Sequence, residues 1–530
     1  MFIRSLNLTA FAIPPLACGF ITGCSPSASS ADAHIDAGNT AAQSGADAAM
    51  DAGVDSSDAR GVGSPDESGV VPDDAPSGCP VSPAPDSGGP AEPPVGTMLV
   101  AGNALSARGV TSDGYEIYSN DAALQLYAIP IAGGAVQSIV ALGGKFWVTV
   151  VGQEVFAWSN VNGADVGALT VWSSARGAHA ISSASFGILG AASSDGTEIL
   201  YVTNVDPLGQ TGDVYLAGSD GTGATSLLQG QQLAGCFPQL GFAGSYAIAS
   251  HCDVARGAGP SSTITSFRSP AWTRADLMGN AANSWSADTA GTIVLVSTAN
   301  GLLVVPIGGG LATTIDANGF VGQLIAGGEM AVYGTTSGSL RLSSTMAPSP
   351  KTLAPSFGGF YAISPAQDTV LYYQSSSSAG TDIYLASTTA PGTLATVSTV
   401  TNGAVNGDAF TADSTFALYS TSNDVCTGSG TFNGFSVTGS APTLLGHNVW
   451  GDWSTTGAKV LFNDNFVATG GLRFGRADIE SVDLATATTP ARVVSQADAV
   501  IDLTPARDQM IYSWSVEPGP LAGLYIIPVP

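Results

Sequence analysis

The sequence predicts an all-β chain: a β-propeller of about eight to ten four-stranded blades, closed by an N-terminal strand and preceded by a disordered tether. Three observations predict it. One theme recurs from residue 97 onward, most clearly as TSDGYEIYSN (111–120), SSDGTEILYVTN (193–204), SPAQDTVLYYQ (364–374), TADSTFALYST (411–421), STTGAKVLFND (454–464) and TPARDQMIYSW (504–514). Each copy is a small polar turn running into apolar residues that alternate at period two, and no long stretch carries the 3.6-residue period of an amphipathic helix. Most copies lead to a second strand with a Gly- or Thr-rich end, as in LQLYAIPIAGG (124–134), GDVYLAGSDGTG (212–223), GLLVVPIGGG (301–310), TDIYLASTTAPG (381–392) and LYIIPVP (524–530). Units repeating every ~40–50 residues bury their faces only against neighbouring units.

The chain divides into three segments. Residues 1–23 read as an export signal: Arg4 supplies a positive start, Leu6 to Phe20 an apolar stretch, and Ile21-Thr22-Gly23-Cys24 a small-residue site. That tetrapeptide resembles the bacterial lipobox, which implies lipidation at Cys24; Cys18 is a second cysteine nearby, but Pro15 stands where the lipobox pattern has Leu. Pro14-Pro15 interrupts an apolar run shorter than the ~20 residues a membrane span needs.

Residues 24–96 are an acidic Ala/Asp/Ser/Gly/Pro tether. Past Cys24 it holds ten Asp and two Glu against Arg60 alone. With almost no large apolar side chains it cannot offset its ordering entropy, and it is expected to stay disordered. Like charges extend it, so it reads as a spacer between a lipid anchor and a folded body over 97–530.

Within 97–530 the polar turns carry the aspartates. Asp113-Gly114 and Asp195-Gly196 suit tight hairpins, because Gly tolerates positive φ and an Asp carboxylate accepts backbone N–H groups. Asp288, Asp368, Asp413 and Asp508 lie in similar places without the following glycine, and turn-making explains all six better than acid catalysis. In the strand after the second turn, Ile199, Tyr201 and Thr203 take one face and Leu200 and Val202 the other. The polar turn, then Ile-x-Tyr or Leu-Tyr, then Asp-Ile-Tyr or Asp-Val-Tyr further on, resembles the WD40-like repeat of the TolB-type β-propellers. The resemblance covers most of 97–530, with fainter units near Phe146–Trp158, Tyr246–Cys252 and Gln323–Gly334. The family prefers Ser-Pro-Asp-Gly; here Ser364-Pro365 and Thr504-Pro505 have lost the glycine, and Ser194-Asp195-Gly196 lacks the proline. An open ring would expose strand edges, and MLVAG (98–102) is left over at one end while the last unit lacks an outer strand. The leftover strand is expected to complete the last blade; two smaller propellers in tandem are the alternative.

Composition excludes several functions. The formal charge of −26, with Lys145, Lys351 and Lys459 the only lysines, offers no basic groove for nucleic acid. The sequence contains no CxxC pair for zinc or redox work. Cys236 and Cys252 flank GFAGSYAIAS and would pair in an oxidising compartment, or one of them is a buried thiol. No G-x-S-x-G elbow occurs, so a hydrolase nucleophile is unsupported. SADTAGTIV (286–294) departs from the sialidase Asp-box, Asn463-Asp464-Asn465 reads as a turn rather than a calcium loop, and Gly308-Gly309-Gly310 ends a strand rather than cradling phosphate. No pair of carboxylates can be nominated for glycoside hydrolysis. No catalytic residue, metal ligand or cofactor is assigned.

His179, His251 and His447 are isolated in sequence, and only convergence at the channel would make them a metal site. Trp147, Trp158, Trp172, Trp285, Trp450 and Trp453 read as core before they read as a sugar-stacking face. The functional expectation is a membrane-anchored, non-catalytic binding or scaffolding propeller of the bacterial envelope, with a protein or glycan ligand. A secreted hydrolase or lyase using channel residues and a purely structural surface lipoprotein are the alternatives.

Overall fold

Alternating strands with one apolar side chain per face and polar turns every few residues cannot bury both faces within one sheet. Stacking radially solves this. The computed structural model describes residues 92–206, 211–233, 239–252, 262–358, 361–376, 380–392, 394–400, 404–422, 429–438, 441–450, 453–468, 475–498, 501–515 and 519–530. The signal segment with Cys24, nearly all of the tether, Cys236 and the side chain of Cys252 lie outside the described residues. A 3-10 turn at Ala326–Gly328 is the sole helical element among the described residues; no helix there is long and apolar enough to cross a membrane.

The described strands form ten four-stranded antiparallel blades. Blade 1 runs Leu105–Val110, Tyr115–Asn120, Gln125–Pro130 and Gln137–Ala141. Blade 2 begins at Trp147–Val151, and its fourth strand is the first half of Gly177–Ala192, whose second half opens blade 3. Thr273–Ala287 serves blades 4 and 5 in the same way. Blades 6, 7, 8 and 9 begin at Gly319–Ile325, Tyr361–Ile363, Ala404–Phe410 and Ser454–Thr456. Blade 10 consists of Ile501–Leu503, Gln509–Trp514 and Gly523–Pro528, completed by Thr97–Ala101. That N-terminal strand pairs antiparallel with Gly523–Pro528, matching Thr97 to Ile526 and Ala101 to Gly523. At most junctions, blade 10 with blade 1 included, the first strands of neighbouring blades pack on one another and line the axis.

Ten apolar clusters, one per junction, hold this ring. Leu200 and Val202 face blade 4, beside Ala247 and Phe267. Ile199 and Tyr201 on the opposite face meet Trp158 and Val171 of blade 2. The tenth cluster joins Leu524 of blade 10 to Leu105, Tyr118 and Ile129 of blade 1. Two propellers in tandem would need two closing junctions, whereas here the junctions follow chain order once around. A fully buried Leu, Ile or Phe contributes about 1.5–3 kcal/mol, so the side chains at each junction outweigh any single polar contact there. Cross-strand tyrosines add to it: Tyr118–Tyr127, Tyr372–Tyr384 and Tyr512–Tyr525 are direct register partners with stacked rings at 5.3, 5.2 and 5.5 Å. The Tyr residues of the two repeat motifs thus meet across adjacent strands.

In six blades (1, 3, 5, 7, 8 and 10) the turn between the first and second strands has one construction, whereas blades 2, 4 and 9 use two-residue turns and blade 6 the 3-10 turn. A head residue (Thr111, Ser193, Asp288, Ser364, Thr411 or Thr504) accepts, through its side-chain oxygen, the backbone N–H that opens the next strand, at 2.8–3.2 Å. Its carbonyl accepts the N–H of the residue three further on. That fourth position is left-handed in all six, including Gly114 (φ 88), Gly196 (φ 70) and Gly291 (φ 70). Where the glycine is lost, Gln367 (φ 62), Ser414 (φ 65) and Arg507 (φ 59) keep the same conformation. The turn geometry therefore outlives its preferred residue, at a strain of about 1–2 kcal/mol per site.

Candidate functional site

The first-to-second turns gather at one end of the ring, and hydrogen bonds run from turn to turn around it. The Ser112 N–H donates to the Gly152 carbonyl at 2.7 Å, the Ala366 N–H to the Ser414 hydroxyl at 2.8 Å and the Asp413 N–H to the Gly457 carbonyl at 3.3 Å. The Ala326 N–H donates to the Gln367 side-chain oxygen at 2.5 Å. These bonds link blades 1 to 2, 7 to 8, 8 to 9 and 6 to 7.

The turn aspartates serve their own loops. Asp195 accepts the Ser193 hydroxyl at 2.7 Å and both the N–H and hydroxyl of Thr197. The Ser193 hydrogen bond, with help from Thr197, holds its carboxyl below the usual range. Burial would raise Asp413, but hydrogen bonds from Thr411 and Thr415 prevail and lower it. Asp288 accepts the Thr292 and Ile293 N–H groups, and Asp368 and Asp508 accept the hydroxyls of Ser364 and Thr504. Asp113 is different: it accepts the Ser174 hydroxyl from blade 2.

Next to Asp113 lies the most chemically perturbed group of this end. Glu154 opens the second strand of blade 2, its side chain 2% exposed and ion-paired with Arg176. Arg176 also donates to the Gly196 carbonyl of blade 3 at 2.9 Å. Burial pushes the Glu154 carboxyl up to about 7 against the pull of Arg176, and the Asp113 charge adds to the rise. Three blades thus meet at one buried acid. A shallow depression of about 370 Å³ lies between the turns of blades 10 and 1, lined in part by Ser112, Asp113, Ile131, Pro505 and Asp508. Its lining mixes apolar groups with acidic ones, and the contact of the Thr504 hydroxyl with Asp508 belongs to the turn itself.

At the same closing junction, Glu116 is fully buried and neither of its carboxyl oxygens has a hydrogen-bond partner. Burial and the Asp502 charge push it well above the carboxylate range, with the nearby backbone N–H of Arg108 opposing them. Toward the other end, Arg108 donates to Ser119 at 3.0 Å and to Asp121 at 3.3 Å.

The three histidines do not converge. His179 is on blade 2, contacting the Arg176 carbonyl at 3.0 Å; His251 is buried on blade 4 beside the Thr265 hydroxyl at 3.1 Å; His447 is exposed on blade 8. No group of three or more His, Cys, Asp or Glu with metal-binding geometry occurs among the described residues. Trp147, Trp158 and Trp172 are buried in the junctions flanking blade 2, and Trp285 and Trp453 pack partly into others. Trp450 stacks on Phe466 at 4.7 Å. Asn463-Asp464-Asn465 is not a turn: it lies within the strand Lys459–Ala468 of blade 9, at a register shift, where Asp464 accepts the N–H groups of Asn448 from blade 8 and of Asn465. Sequence reasoning missed Glu116 and Glu154. Their signal was an acid at an apolar-parity position, as in Tyr-Glu-Ile-Tyr (115–118) and Glu-Val-Phe-Ala-Trp (154–158).

No family model matches the chain, and no curated protein matches it. Solved structures resemble it in arrangement. A eukaryotic initiation factor is 14% identical with a TM-score of 0.46, covering 66% of this chain and 89% of its own. Dipeptidyl peptidase 4 of Porphyromonas gingivalis is 10% identical with a TM-score of 0.44, covering 80% of this chain and 67% of its own. TolB of Acinetobacter baumannii is 12% identical with a TM-score of 0.26, covering 54% of this chain and 61% of its own. The propeller assignment here stands on the ten junctions themselves.

Proposed function

We propose that this chain is a membrane-anchored, non-catalytic binding or scaffolding propeller of the bacterial cell envelope, a TolB-type repeat protein whose ligand is a protein or a glycan. In this reading residues 1–23 direct export, Cys24 carries the lipid, 24–96 is the leash and 97–530 the binding body. One observation carries it: the polar groups of the turn end are committed to the ring itself. Turn aspartates other than Asp113 cap their own loops, Asp113 and Arg176 tie blade 2 to blades 1 and 3, and the histidines sit on separate blades. What such a ring presents is a rigid surface rather than a reacting constellation. An acidic face on a long tether suits capture of a partner within its reach.

Two measurements on the full-length chain test this. Intact mass from envelope extracts should show an acylated Cys24, absent in Cys24→Ala. Cross-linking in intact envelopes should join turn-end residues to a protein or glycan. Turnover of an ester, peptide or glycoside by the purified chain would overturn the non-catalytic reading, and cross-links confined to the chain itself would leave only a structural role.

A further inference from the structure

We propose that Glu116 is a neutral carboxylic acid that latches the ring-closing junction, and that its ionisation as pH rises loosens the contact between the first and last blades. The geometry begins with register. Glu116 lies opposite Ile129 on the neighbouring strand, and two residues further along Tyr118 lies opposite Tyr127. Ile129 and Tyr118 belong to the apolar cluster that meets Leu524 of blade 10, so the Glu116 side chain shares the face turned toward that blade. It is fully buried there with no hydrogen-bond partner for either carboxyl oxygen. A lone carboxylate in such surroundings is far costlier than the protonated acid.

Among the described residues no neighbouring side chain pairs with Glu116 as a compensating cation. The titratable groups on the strands packed around Glu116 are Arg108, Tyr127, Asp502, Tyr512 and Tyr525. Arg108 is engaged with Asp121 and Ser119 and lies over the Phe146 ring at 5.2 Å. Asp502, on the first strand of blade 10, adds negative charge, and burial keeps the Tyr512 and Tyr525 phenols neutral. The same junction carries the N-terminal strand Thr97–Ala101, which joins blade 10 by its ladder with Gly523–Pro528.

The sign follows from linkage. An acid that holds its proton when the junction is closed, and releases it when opening brings in water, makes opening more favourable as pH rises. Between the ordinary carboxylate range and the raised folded value, the opening constant grows about tenfold per pH unit. The ring therefore tightens in acid and relaxes toward neutrality and above.

Hydrogen exchange on the full-length chain across a pH series tests the latch. After correction for intrinsic rates, amides of Leu524–Ile527 should lose protection by about tenfold per pH unit through the window, while Val294–Val296 of blade 5 should not. Glu116→Gln should flatten the profile at the closing strand and protect it more at neutral pH. Equal profiles at the two sites, or an unchanged profile in Glu116→Gln, would overturn the proposal. Should that variant not fold, infrared spectra of the wild type at neutral pH should retain a protonated-carboxyl band, and Asp502→Asn, which removes the charge that helps hold the proton on Glu116, should move its loss to lower pH. Absence of the band, or no movement, would overturn it equally.

Discussion

Replacing Asp316 with alanine should destabilise the chain by about 3 kcal/mol, because one carboxylate staples blade 5 to blade 6. Asp316 closes the fourth strand of blade 5 and is 8% exposed. One oxygen accepts the Asn318 N–H at 2.9 Å; the other accepts the Tyr333 hydroxyl at 3.1 Å and an Arg341 N–H at 2.7 Å, both from blade 6. Tyr333 is fully buried, so Asp316→Ala leaves its hydroxyl unpaired, at a cost of about 1–3 kcal/mol. The charge-assisted bond to Arg341 is worth about 1.5–3 kcal/mol when enclosed, and less here because that side chain is 28% exposed and water re-solvates it. Asp316→Asn keeps one acceptor oxygen, for the Asn318 N–H, and turns an amide N–H that the Tyr333 hydroxyl can accept, so it should cost less than the alanine, about 1–2 kcal/mol.

Urea titration of the full-length chain would read both values, and a double-mutant cycle with Tyr333→Phe isolates the buried hydroxyl. The cycle should give a coupling of at least about 1 kcal/mol, since the phenylalanine has nothing left to strand. Burial works to raise the Asp316 carboxyl, but the Asn318, Arg341 and Tyr333 hydrogen bonds hold it below the usual range. Its contribution is therefore present above the ordinary carboxylate value and fades as pH falls through the depressed one. A loss under about 1 kcal/mol, additivity within ~0.5 kcal/mol, or a cost that grows in acid would refute the reasoning.

Three further outcomes are expected. Gly114→Ala should cost about 1 kcal/mol by thermal melting, since φ is 88 and the new Cβ meets Ile131 only at ordinary contact distance, 3.5 Å; Gly163→Ala, in open space, should cost nothing measurable. Glu154 binds its proton more tightly when folded, so the stability it lends is whole below the ordinary carboxylate value and is lost as pH climbs toward about 7; Glu154→Gln should raise the melting temperature at pH above 7 relative to wild type and erase part of the decline from mildly acidic pH, and a decline identical to wild type would contradict this. Deleting residues 97–101 uncovers the edge of Gly523–Pro528 and removes Met98, Leu99 and Val100 from two junctions; amide protection along that strand should collapse, and the buried Trp514 should shift its fluorescence to the red.

Much of this architecture is legible in the repeats because a period-two pattern is a local property. Each turn head, each Tyr of the paired motifs and each apolar alternation is specified within a few residues, and a single such unit has no way to bury its faces except against copies of itself. The leftover strand Thr97–Ala101 is readable by the same reasoning, since the last three strands lack a fourth partner. The fainter units are harder to read. Trp147–Val151 has no Asp-Gly turn, and Gly177–Ala192 runs unbroken from one blade into the next, so no turn signal marks that boundary.

The all-β class, the turn chemistry and the repeating unit follow from local sequence alone, because they depend on side-chain parity and on backbone preferences over four or five residues. Packing in three dimensions was needed to establish that the ring holds ten blades, that Asp113, Glu154 and Arg176 link three of them, and that Glu116 is sealed between the first and the last. Those facts depend on which residues, hundreds of positions apart in places, come to share a dry interface. The energy of a buried charge is set by that shared surrounding and not by its neighbours along the chain.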